Sequence, residues 1–424
     1  MKKSHKSLSA LLMIVSTLGV GQVASSPTSA TLSPATQSVA EARKAIVEKP
    51  AQYAGYNLLA MALVHRAQET SDATYLAQAQ DAVKKSLELA PHNFDAGKAR
   101  VSILLAEHQF PAALEEAKEL NKKVPDDVMV YGLLTDANVE LGNYNDAETS
   151  AQWMLNLRPG NRPALIRAAH LRELFGDAEG AYELMELAYQ STPPTETEER
   201  ASVLAQMGHL RLASGNPDVA EKLLLQALTA CPGHPAALGN LAQLRIAQKR
   251  FQDAVLLLQQ RYQSAPRTGN LYDLAEALQL AGRTSEAKKA FAEFEANALL
   301  ESSRKDNSNR DLVFYYADRA HQPARALKVA EQEFAWRHDV YTLDAYAWAL
   351  HVNGQNTEAR KQIEAALAVG IRDARLFLHA GAISLKSEDR TAAERYLKQS
   401  AELNSEDSEE ARNMLTGLTQ SAQR

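Results

Sequence analysis

The sequence predicts an all-α solenoid of about ten stacked helix pairs with a helical cap at each end. Three observations carry this. Pro91, Pro125, Pro159 and Pro193 follow one another at intervals of 34 residues, Pro232 comes after 39, and Pro266 after 34 again. A glycine ladder, Gly142, Gly176 and Gly215, repeats the same 34 and 39 steps. Two residue types therefore share one phase and one insertion, in the polar stretch Pro194 to Arg200. Hydrophobic residues make up 45% of the 424, with only 19 glycines and 15 prolines. That is ample material for a core and too few turn formers for an all-β sandwich.

Each interval reads as two helices. From Val128, the residues Tyr131, Leu134, Thr135 and Asn138 lie on one face of a first helix, Gly142-Asn143 breaks it, and Tyr144, Ala147, Ala151 and Met154 continue on a second. The glycine suits a tight helix end that needs a left-handed residue. Pro159 stops the second helix and sets the phase of the next pair. Alanine recurs near the start of the second helix, at 113, 147, 181, 220, 254, 287, 359 and 393. There the two helices of a pair touch, and a larger side chain would force them apart at about 1–3 kcal/mol.

This pattern resembles the tetratricopeptide repeat, whose signature runs W-x₂-L-G-x₂-Y, A-x₃-F and P. The unit from Ala201 places Leu204, Met207, Gly208, Ala220, Leu224, Ala227 and Pro232 in those positions. The unit from Val340 places Leu343, Tyr346, Ala347, Leu350, Gly354, Ala359 and Ile363, and that from Ala374 places Phe377, Ala380, Gly381, Ala393 and Leu397. Ten units start near residues 52, 94, 128, 162, 201, 235, 268, 310, 340 and 374. The first carries an insertion, Glu69 to Ala73, and the eighth lacks the glycine turn and has a short loop at His321-Gln322-Pro323. Arg66 to Thr70 and Arg337 to Gly381 are similar to exported bacterial members of undetermined role. The resemblance implies a right-handed superhelix.

The organisation expected is a leader over 1–24, a flexible tether over 25–38, a capping helix over 39–49, units one to seven over 50–301, a polar break over 302–311, units eight to ten over 312–405, and a C-terminal capping helix and tail over 406–424. The leader reading rests on Lys2, Lys3 and Lys6 before the apolar run Leu8 to Val20, then small residues. Cleavage after Ala24, Ser25 or Ser26 fits, and an uncleaved N-terminal anchor is the alternative. With no cysteine near the site, a lipid anchor is not expected. The expected location is the periplasm or the exterior, with no stable membrane span after cleavage. Cys231, the one cysteine, reads as a small apolar residue at a helix end.

The formal net charge of −6 lacks the basic surplus of a nucleic-acid binder. His-Glu-x-x-His, Cys-x-x-Cys, phosphate-loop and Gly-x-Ser-x-Gly patterns do not occur, and Gly19, Gly21 and Ala24 form a dinucleotide-like pattern only inside the leader. No catalytic residue, cofactor or metal is expected. His65, His92, His108, His234, His321 and His338 read as solvated side chains at helix ends or in loops.

The expected activity is non-enzymatic: a scaffold of the bacterial envelope that binds one or more partner proteins. A scaffold associated with exopolysaccharide secretion is the alternative, and an enzyme with a helix-built site is the least favoured. The resemblance implies that positions two, five, nine, twelve and thirteen of each unit face a concave groove. Transferred by phase, the fifth and ninth positions and a C-terminal aromatic group give Asp136, His170, His209, Gln243, Tyr272, Glu276, Tyr341, Asp344 and Trp348 as partner-binding candidates. His170 and His209 occupy the ninth position of adjacent units, at a separation suited to a polar row rather than a shared metal. Gly132, Ala205 and Gly239 are expected to leave the middle of the groove open.

Overall fold

The computed structural model describes residues 34–70, 72–304, 307–403 and 406–422. The leader and most of the tether lie outside these. The described residues are helical throughout, with no strand among them. The ten pairs fall at the expected places: Tyr53–Thr70 with Thr74–Leu89 in unit one, Val128–Glu140 with Tyr144–Leu157 in unit three, and Ala374–Lys386 with Arg390–Glu402 in unit ten. No described helix is long and apolar enough to cross a membrane.

Packing follows the alanines. Each of the eight is 0% exposed, so the paired helices meet wherever a methyl group is all that fits between them. Second helices end just before the prolines, with Ala90, Val124, Arg158, Cys231 and Ala265 at their C-caps. First helices open on side-chain caps. Asn93, Asp127, Asn161, Asp339 and Asp373 each accept from a backbone N–H of the first turn, satisfying a donor the helix cannot. The insertion at 194–200 becomes an extra turn at the start of Thr197–Ala213.

Several details differ from expectation. The N-terminal cap begins at Pro34 and runs to Glu48, so residues 34–38 belong to a helix rather than to the tether. The polar break is shorter than 302–311, because Asn309–Phe314 is already helical and continues as a π-turn over Tyr315–Arg319. Unit eight lacks glycine but not the turn: His321 takes the left-handed conformation at φ 51°, as His108, Lys249 and Glu388 do in other units without glycine there. His234 is 8% exposed rather than solvated. Its Nδ1 accepts from the Ala237 N–H at 3.3 Å and its Nε2 lies 3.0 Å from Ser202 Oγ. Cys231 is half-buried and its thiol is pushed up by burial, as expected of an inert side chain.

The superhelix also touches itself. In a solenoid each repeat ordinarily contacts only its neighbours. Here the turn inside unit three meets the loop entering unit nine. Arg337 Nε donates to Glu140 Oε2 at 2.7 Å, the His338 N–H to the Glu140 carbonyl at 3.1 Å, and the Val340 N–H to the Tyr144 hydroxyl at 2.9 Å. The turn inside unit four meets Gly370, before unit ten, and Arg267, before unit seven, reaches the Gln68 carbonyl of unit one. All three contacts join units six apart, so about six units complete one turn. Tyr144, Leu171 and Leu174 share one apolar cluster with Val340 and Ile371, so the seam has a core as well as polar contacts.

Candidate partner-binding wall

The first helices line the inner wall. In units three to five its charges are paired. Arg167 reaches back one unit to hold Asp136 with two hydrogen bonds, at 2.7 and 2.6 Å. His170 and His209 converge on Glu173, at 3.9 and 2.7 Å, and Gln206 donates to the same carboxylate at 2.9 Å. Although burial opposes it, these hydrogen bonds and the facing imidazoles hold the Glu173 carboxyl down at about 2, while Glu173 pulls His209 above its ordinary value against burial. The two histidines thus share an anion between neighbouring units. Gln243 is exposed on the wall of unit six.

The fifth-position candidates do not face an open groove. Tyr272 is 7% exposed and packs on Phe294 with ring centroids 4.9 Å apart. Asp344 is 3% exposed and lies 2.8 Å from His379 Nδ1. The small residues of that row leave no opening either. A Cβ on Gly132 would stand 3.3 Å from Arg167 Cζ, and one on Gly239 3.0 Å from Arg261 Cζ. Long arginines from neighbouring helices fill the space that the missing side chains leave.

The ninth and second positions do reach the wall. Glu276 holds Arg319 through both carboxylate oxygens, with Arg319 Nε donating at 2.8 Å. Trp348 donates its indole N–H to Asp318 at 2.8 Å and stacks on His379, with centroids 4.1 Å apart and planes 13° from parallel. Tyr341 is exposed, with the Arg310 guanidinium 5.8 Å above its ring. Four wall residues were not among the sequence candidates: Asp311, Asp318, Arg375 and His379. The signal for three of them was present. Asp318 is the ninth position of unit eight, and Asp311 and Arg375 are the second positions of units eight and ten, in phase with Tyr341. His379 has no such signal in the two rows used.

A helical-repeat solenoid with a charged inner wall and exposed aromatics is a class built for holding other molecules. A family model described as tetratricopeptide repeat matches residues 211–268, and with ten helix pairs in that phase the chain is a tetratricopeptide repeat protein. A stretch of 107 residues, 25% of this chain, is 35% identical to the cellulose synthase operon protein C of Xanthomonas axonopodis pv. citri (strain 306). The chain spans only 7% of that relative. Among solved structures, a human IFIT1 dimer with m7Gppp-AAAA is similar in fold, with TM-score 0.50 and 13% identity over 87% of this chain and 85% of that one. A thermophilic tetratricopeptide repeat protein of Thermus thermophilus matches at 21% identity and TM-score 0.38, over 46% of this chain and 98% of that one.

Proposed function

We propose that the protein is a non-enzymatic scaffold of the bacterial envelope that holds a partner protein against the inner wall of units seven to ten. The observation that carries this is the wall itself: Tyr341, Trp348, Asp318 and Arg375 stand together on consecutive first helices, and aromatic and arginine side chains are the usual anchors of protein interfaces. Location outside the cytoplasmic membrane follows from the leader reading. The matched stretch of the cellulose synthase operon protein C supports a narrower alternative, a scaffold that assists secretion of a surface polysaccharide. To test the reading, the chain without its leader is used as bait in a periplasmic extract, beside its Trp348→Ala variant. A partner retained by the parent and lost by the variant supports the wall. An identical set of captured proteins overturns it.

A further inference from the structure

One part of this wall is short of cations. Among the acids of units seven to ten, Asp273 has Arg261, Glu276 has Arg319, and Asp344 has His379. Asp407 of the C-terminal cap lies 3.6 Å from Arg375. Among the described residues, Asp311, Asp318 and Asp373 form no ion pair. Asp318 accepts only the Trp348 indole, Asp373 caps the Leu376 N–H at 2.9 Å, and the Asp311 carboxylate accepts no hydrogen bond. Burial pushes all three carboxyls up, that of Asp311 to about 6 with repulsion from Asp273 added. Asp311 is placed by the bare backbone opposite it. Its Oδ2 stands 2.7 Å from where a Cβ on Gly269 would be.

Tyr272 supplies an independent sign of a missing ligand. Its side chain is more than nine-tenths buried, yet among the described residues its hydroxyl has no hydrogen-bond partner, where a buried phenol ordinarily finds one. The hydroxyl stands within reach of the charges of Glu276, Arg375, Asp311 and Arg319. Acceptors outnumber donors here, and the unmet need is for a positively charged group with several N–H donors.

Resting on the partner-binding reading above, we propose that the wall beside Tyr272 and Asp311 takes a lysine or arginine side chain carried on an extended segment of the partner. The charged head meets the Asp311 carboxylate and the Tyr272 hydroxyl, and the segment continues past Asp318 and Trp348. The backbone of such a segment adds little bulk, and its charge complements the three unpaired acids.

Fluorescence anisotropy with a labelled oligolysine peptide tests this, using the chain without its leader and an oligoglutamate peptide as the counterpart. Oligolysine is expected to bind one per chain, and oligoglutamate not at all. Asp311→Asn should weaken binding by about tenfold and Tyr272→Phe by about threefold, at unchanged helicity in circular dichroism. Glu148→Gln, an exposed position on an outer helix, should leave it unchanged. Absence of oligolysine binding overturns the proposal, and so does equal weakening by Asp311→Asn and Glu148→Gln, which would mean attraction to the net charge alone. A Trp348-dependent partner that oligolysine fails to displace overturns this inference and leaves the proposed function standing. Oligolysine binding at Asp311 without any Trp348-dependent partner does the reverse.

Discussion

Two groups of glycine turns in this molecule share a backbone and differ in everything around it. Gly142 and Gly176 have φ of 74° and 81°, and Gly215, Gly282 and Gly354 have 75°, 73° and 78°. Around the last three, a Cβ would meet nothing within 4 Å. At Gly142 it would lie 2.7 Å from the His338 carbonyl oxygen, and at Gly176 2.5 Å from that of Gly370. The same local signal therefore marks an ordinary helix end in one group and a docking point for the next superhelical turn in the other.

The sharpest way to break the comparison is Gly176→Ala beside Gly215→Ala. Both lose the cheap left-handed residue, at about 1–2 kcal/mol. Only the first also drives a methyl group into a carbonyl oxygen, so its total loss should be about 4 kcal/mol with overpacking added. Urea unfolding followed by circular dichroism measures both, and equal losses would mean that the seam does not form in solution. Next in size is Arg337→Ala. Arg337 is held by Glu140 and, within its own loop, by Asp339 at 3.0 Å and Glu333 at 3.7 Å. Asp339 and Glu333 are buried, so removing the arginine strands their charge and should cost about 3 kcal/mol. Arg211→Ala is its counterpart away from the seam, since its partner Glu179 is exposed, and should cost under about 1 kcal/mol.

The smallest effect has the opposite sign. The Asp311 carboxyl is raised from 3.8 to about 6, so the folded chain binds this proton more tightly than the unfolded one. Stability is lost as pH rises through that window, and at neutral pH the ionised group is a burden of about 2 kcal/mol. Asp311→Asn should therefore raise the melting temperature at pH 7, with the gap closing below about pH 4. A constant gap across that range would contradict the assignment. Glu173, held down at about 2 from 4.5, works the other way: its contribution is present above its unfolded value and fades as pH falls toward 2.

The units were legible because their determinants are local. A proline stops a helix, an alanine lets two helices touch, and every such alanine is buried without exposure. The seam was not legible, because it depends on rotation summed over six units, and no residue near Gly142 refers to His338. The wall was half legible. Phase counting brought Trp348, Glu276 and His209 to the inner face, but it treated Gly132 and Gly239 as gaps when Arg167 and Arg261 reach across to fill them. It also passed over Asp318 because unit eight looked degenerate, although the π-turn keeps that residue on the wall.

The clasp between units three and nine joins residues 196 and 197 positions apart in the chain, and that separation is a fixed length. In an open solenoid an extra copy of the repeat merely extends the trough. Here a duplication or loss anywhere between the two clasping loops would carry Arg337 past Glu140 by a whole repeat, so the gene for this protein is free to gain copies only outside that interval.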